Sequence, residues 1–195
     1  MKEHKELLSK WLRLLFYIQI AYMAITCINA VTRWDNVTAW VNKGITAIGI
    51  WCLFQLQVVN PRYRTAAITR AGALICGLLT LPVNTSGLGL SSILLLVGSA
   101  CTWVTDYQEY HGHSEIAAQW DETLAKKWKN LFVWEVVVAL VTSVVSVFGT
   151  VILMAADMLT DTISTVIIIL STVIGLVLEG LYLLYMKRTL ALIET

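Results

Sequence analysis

The densest run of polar side chains is Asp106-Tyr107-Gln108-Glu109-Tyr110-His111-Gly112-His113-Ser114-Glu115. A His-x-His pair flanked by carboxylates offers ligand types that zinc and other transition metals take, so Glu109, His111, His113 and Glu115 form one candidate set. The spacing works against it. Residues two apart on a helix point to opposite faces, so His111 and His113 share an ion only where Gly112 interrupts the helix, and no second ligand pair such as His-Glu-x-x-His occurs. A solvated turn joining two helices is the stronger expectation for this run.

A second set lies inside apolar stretches: Glu135, Glu179, Arg70, Gln19 and Gln55. Ionisable groups at membrane depth are expensive and by default mark a functional site. The competing structural reading has Glu135 reaching the headgroups and Glu179 tied to Arg70 as a fixed ion pair. Glu135 shares a helical face with Ala139, Thr142, Ser146 and Gly149, and Glu179 shares one with Thr165, Thr172 and Gly175. Faces of small and hydroxyl residues pack against other helices, so both carboxylates are expected to face the bundle interior. No Gly-x-Ser-x-Gly, Walker loop or dinucleotide fingerprint is present, no cofactor is indicated, and the reading leans away from an enzyme.

The elements that must position these groups follow from composition. Of 195 residues, 57% are hydrophobic and only 14% charged, which excludes an ordinary solvated surface. A net charge of +1 leaves no basic stripe for nucleic acid. The fold class is an all-α integral membrane protein, a bundle of six transmembrane helices in one domain over residues 1–195. The spans fall at about 11–31, 40–58, 66–83, 87–104, 131–155 and 162–186, each near the roughly 20 apolar residues that cross a bilayer. A barrel is excluded because the runs do not alternate.

All Lys and Arg residues except Arg33 and Lys43 fall on one side of this arrangement. Positive charge stays cytoplasmic, so the expectation is a multi-pass protein of the cell membrane with both termini inside and an even number of spans. Trp11, Trp103, Trp128 and Trp134 lie near the inner boundaries and Trp34 and Trp40 near the outer one, whereas Trp51 is mid-membrane. The first thirty residues read as a retained span and not a signal peptide, because Glu3 and Glu6 sit where a basic region belongs and the apolar stretch is long. Cys27, Cys52, Cys76 and Cys101 fall one per span, a distribution that suits small packing residues and not a disulfide framework.

Between spans four and five, residues 106–130 form the one sizeable segment outside the membrane. Ile116, Trp120, Leu124 and Trp128 recur every four residues there, which predicts an amphipathic interfacial helix over about 114–129. Its entry, Leu124-Ala125-Lys126-Lys127-Trp128, echoes Leu7-Leu8-Ser9-Lys10-Trp11, a faint sign of duplication. The polar groups of the spans gather in the cytoplasmic half, which predicts a vestibule there. Three functions compete: a small-solute transporter or substrate-binding membrane subunit, an accessory or sensory protein that docks a partner membrane protein or reads the lipid bilayer through the amphipathic helix, and a membrane metalloenzyme.

Overall fold

The computed structural model describes residues 2–32, 35–80, 89–156 and 160–194, with side chains over 5–29, 37–80, 89–145 and 169–194. All regular structure among them is helical: α1 (Lys2–Thr32), α2 (Asp35–Leu56), α3 (Arg62–Leu79), α4 (Leu90–Ala117), α5 (Glu122–Ala156) and α6 (Thr160–Glu194). Five of the six are long and apolar enough to cross a membrane. The exception is α3, 18 residues long, into which Arg62, Arg64 and Arg70 bring three charges. The expected connections at 84–86 and 157–159, the start of the fourth span at 87 and 88, and the pair Arg33 and Trp34 lie outside the described residues.

Each helix packs against its chain neighbours, α6 returns to α1, and α4 also touches α6 across the ring. The α2–α3 reversal is written in Asn60-Pro61. Proline lacks the N–H that a first helical turn leaves unpaired, and the Asn60 Oδ1 accepts the Arg62 N–H at 3.0 Å. Small residues bring α3 close to α4: a methyl group on Gly72 would lie 3.3 Å from the Cys101 Sγ, and one on Gly98 3.3 Å from the Cys76 Cβ. All four cysteines are free thiols.

Close packing is concentrated at one end. Leu8, Leu12 and Leu15 of α1, Leu53 and Leu56 of α2, Tyr63 and Ala67 of α3, Ile116 of α4, Leu124 and Trp128 of α5, and Met186 and Leu190 of α6 are all buried. Polar ties reinforce this end. Arg13 reaches Glu194 at 2.5 Å and closes α1 on α6, Arg62 Nε donates to Glu115 at 2.7 Å, and Trp128 Nε1 donates to Thr189 at 3.1 Å. Toward the other end the side chains turn outward: Ile48, Trp51, Ile75, Leu95, Leu96, Leu140, Val144, Ile169 and Leu170 are exposed. An aliphatic surface of this extent needs an apolar solvent, so the chain is a multi-pass helical membrane bundle.

Two expectations are corrected here. The run Asp106–Glu115 is no solvated turn, because α4 continues through Gly112 to Ala117. Nor do residues 114–129 make one interfacial helix. The Gln119, Trp120 and Asp121 N–H groups bond back to Ile116 and Ala117 in a turn, and Asp121 Oδ1 then accepts the Thr123 and Leu124 N–H groups at 2.8 and 3.1 Å as the cap of α5. The four-residue periodicity had a real cause, since Ile116, Leu124 and Trp128 are buried and Trp120 packs beside them, but they face the bundle from two helices.

Gly112 is where α4 meets Tyr63, whose ring carbons lie 3.1 to 3.4 Å from the position of an added Cβ. Tyr63 is wholly buried and bonded to His113, so the ring has nowhere to retreat. Gly112→Ala should gain about 1 kcal/mol of helix propensity and lose more to overpacking, which typically costs about 1–3 kcal/mol. A lower unfolding temperature in detergent is expected, and an unchanged or raised one would contradict this packing.

Candidate functional site

Helix periodicity assembles the site. Asp106, Glu109, Tyr110 and His113 follow one face of α4, Glu135, Val138 and Ala139 one face of α5, and Gly175, Glu179 and Tyr182 one face of α6. With Arg70 from α3 and Gln19 from α1, all of these except the deeper His113 line a cavity of about 270 Å³ inside the ring. It sits where the packed core gives way to the lipid-facing half. Gly49 of α2 lies beside Arg70, where a Cβ would make an ordinary contact of 3.7 Å with its Nη1.

Four carboxylates and one guanidinium therefore share this space. Arg70 Nη2 lies 2.8 Å from Glu109 Oε2 and 4.0 Å from Asp106 Oδ1. The closer contact is an ion pair without hydrogen-bond alignment, since Glu109 Oε2 has no hydrogen-bond partner. Tyr110 and Glu135 stand together in the cavity lining. One oxygen of Glu135 and one of Glu179 are buried with no hydrogen bond among the described residues.

Behind the cavity the polar groups form a chain. Tyr182 donates its hydroxyl proton to Glu109 Oε1 at 2.6 Å, so its oxygen accepts from His113 Nε2 at 3.0 Å. His113 Nδ1 is then left to accept the Tyr63 hydroxyl at 2.7 Å. His113 is 0% exposed and Glu109 4% exposed. The imidazole packs against the rings of Trp128, Tyr63 and Tyr182 with centroids 4.7, 5.5 and 5.8 Å away. Burial lifts the Tyr63 hydroxyl well above the usual tyrosine range, and the nearby Glu109 and Glu115 charges add to it, so it stays a neutral donor.

Of the residues singled out from sequence, Glu135, Glu179, Arg70 and Gln19 come together at the cavity. Gln55 does not line it and lies half-buried on α2. The cation Arg70 is paired with Glu109, not with Glu179. The four metal-ligand candidates do not gather as one set, although His113 Nε2 lies 3.7 Å from Glu109 Oε1. Glu109 stands in the cavity wall, His113 lies among the tyrosines, His111 bonds the Tyr107 carbonyl at 2.9 Å, and Glu115 holds Asn60 and Arg62. No group of three His, Cys, Asp or Glu able to hold a metal gathers among the described residues. Continuous helix through Gly112 is the reason, because it turns His111 away from His113. The remaining residues of the stripes, Ser146, Gly149 and Thr165, are outside the described side chains. The roles of Asp106, Tyr110 and Tyr182 were missed. Continuing the three- and four-residue spacing of α4 beyond position 104 would have found the first two.

Breaking the Arg70–Glu109 pair from either side leaves a charge without its partner. Arg70→Met or Glu109→Gln should destabilise by roughly 3 kcal/mol, the low end for buried pairs because Arg70 keeps some exposure, and the double variant should lose less than the two singles together. Thermal unfolding of the four proteins measures this, and additive losses would count against the pair. No family model, curated protein or solved structure matches the chain.

Proposed function

We propose that the protein is a small-solute transporter or the substrate-binding membrane subunit of one, built on six spans with both termini cytoplasmic. The observation that carries this reading is the cavity, where carboxylates of α4, α5 and α6 meet a single described cation. Its volume of about 270 Å³ is near the lower edge of ligand pockets, roughly 300–1,000 Å³, and suits a solute of few atoms. The charge balance favours a cationic one. Arg70 answers Glu109, and Asp106, Glu135 and Glu179 still need protons or a bound cation in a medium that does not tolerate bare charge. Tyr110 and Tyr182 add aromatic surface suited to organic cations.

Orientation rests on charge. The packed end carries the exposed Lys10, Arg13, Arg64, Lys126, Lys127, Lys129, Lys187 and Arg188, which supports a cytoplasmic position for that end. The accessory-protein reading loses its support, because the amphipathic residues it needs are occupied by the bundle's own helices.

Two measurements test this. Thr85→Cys in a cysteine-free background should react with an impermeant maleimide from outside the cell, and reaction only from the cytoplasm would overturn the topology. Millimolar tetramethylammonium or methylguanidinium should raise the unfolding temperature saturably, since ligand at a hundred times its Kd adds about 2.7 kcal/mol. Glu179→Gln should stay folded and lose that response. Absence of saturable stabilisation by these cations would refute the cationic cavity, and stabilisation by small carboxylates alone would reverse its charge class.

A further inference from the structure

We propose that the buried chain Tyr63–His113–Tyr182–Glu109 carries protons between the packed end of the bundle and the cavity, making the proton a second ligand of that cavity. The proposal rests on the reading of the cavity as a solute site. Three consecutive hydrogen bonds of 2.7, 3.0 and 2.6 Å join groups that can each give one proton while accepting another. Their directions agree: Tyr63 to His113, His113 to Tyr182, Tyr182 to Glu109. His113 has a hydroxyl on each nitrogen inside an aromatic enclosure, which satisfies the buried imidazole and joins both tyrosines into one path.

The chain ends on a carboxylate at the cavity and on a tyrosine hydroxyl at the packed end. At the inner end is Glu109 in the cavity wall. At the other is the wholly buried Tyr63 hydroxyl, which follows in sequence Arg62, whose Nε holds the exposed Glu115 at 2.7 Å, with Asn60 on the same carboxylate at 2.8 Å. Of the residues with metal-ligand chemistry in this run, Glu109 thus becomes one end of a proton path and His113 its middle.

The transfer balances. A hydronium ion that reaches the Tyr63 oxygen from the packed end gives up its proton as the Tyr63 proton passes to His113 Nδ1. The Nε2 proton passes to the Tyr182 oxygen, and the Tyr182 proton passes to Glu109 Oε1. Water is released at one end, Glu109 becomes a neutral acid, and His113 and both tyrosines remain neutral with their hydrogen bonds reversed. The reverse sequence returns the proton. Glu109 is then no longer an anion for Arg70, whose other described partner, Asp106, is 4.0 Å away. The groups around Glu109 are Tyr22 of α1, Tyr63 and Arg70 of α3, Asp106, Tyr110 and His113 of α4, Glu135 of α5, and Glu179 and Tyr182 of α6. With one more positive charge in this setting, a cationic solute binds less well, so proton and solute exchange for one another.

The test uses the full-length protein in phosphatidylcholine–phosphatidylglycerol vesicles with a trapped pH dye, a potassium diffusion potential driving proton entry, and tetramethylammonium present or absent. Protein-dependent proton entry is expected in at least one condition. Tyr182→Phe and Tyr63→Phe, which keep the rings and remove the hydroxyls, should each reduce it at least tenfold per folded molecule. Tyr185→Phe, which alters a ring packed on Trp128 away from the path, should leave it unchanged. Entry no faster than in protein-free vesicles under both conditions overturns the proposal, as does full entry in both hydroxyl-deleted variants. Should one variant fail to fold, the other decides, because each interrupts the same path. Saturable stabilisation by tetramethylammonium without proton entry refutes the path and leaves the solute site standing, whereas hydroxyl-dependent proton entry without stabilisation does the opposite.

Discussion

A single guanidinium set among four carboxylates is the constraint from which the interior of this bundle follows. Charge inside a membrane protein must be paired, hydrogen-bonded or neutralised. Arg70 can face only so many partners, and its close contact with Glu109 leaves Asp106, Glu135 and Glu179 to other means. The tyrosine at 182 reaches Glu109, and α3 accepts a shorter apolar length in return for carrying the cation inward.

The bundle is divided along its length by what supplies the packing. At the end holding the α2–α3 and α4–α5 turns, protein side chains fill the space, and Trp128, Tyr63, Leu12 and Met186 are wholly buried. Farther along, the helices show Ile, Leu and Val to the outside, where lipid rather than protein completes the contact. The cavity lies at that boundary, rigidly walled on one side and adjoining the less tightly packed half on the other.

Much of this was legible in order along the chain and little of it across the ring. Helical class, the apolar length of five elements and the one-sided distribution of Lys and Arg are local properties, readable without knowing any neighbour. So were the faces that carry Glu135 and Glu179, because a period of 3.6 residues assigns a face from spacing alone. The same periodicity misled over Ile116–Trp128, where residues of two helices meet one core and imitate a single amphipathic helix. Asp121, an N-cap residue followed by Glu122, was the local sign of that break.

By itself, then, the sequence determined that the chain is a helical bundle for an apolar solvent, with ionisable groups turned inward on particular faces, since both depend on residue type and spacing within one element. Only the tertiary structure decided that Arg70 belongs to Glu109 and not to Glu179, that Gln55 stays away from the cavity, and that His113 lies between two tyrosines instead of beside His111. Those outcomes depend on how far each helix is rotated and shifted against the next. Contacts such as Gly72 on Cys101 and Gly112 on Tyr63 set that register, and whether two side chains from different helices fit at such distances is a property of the pair that neither segment carries alone.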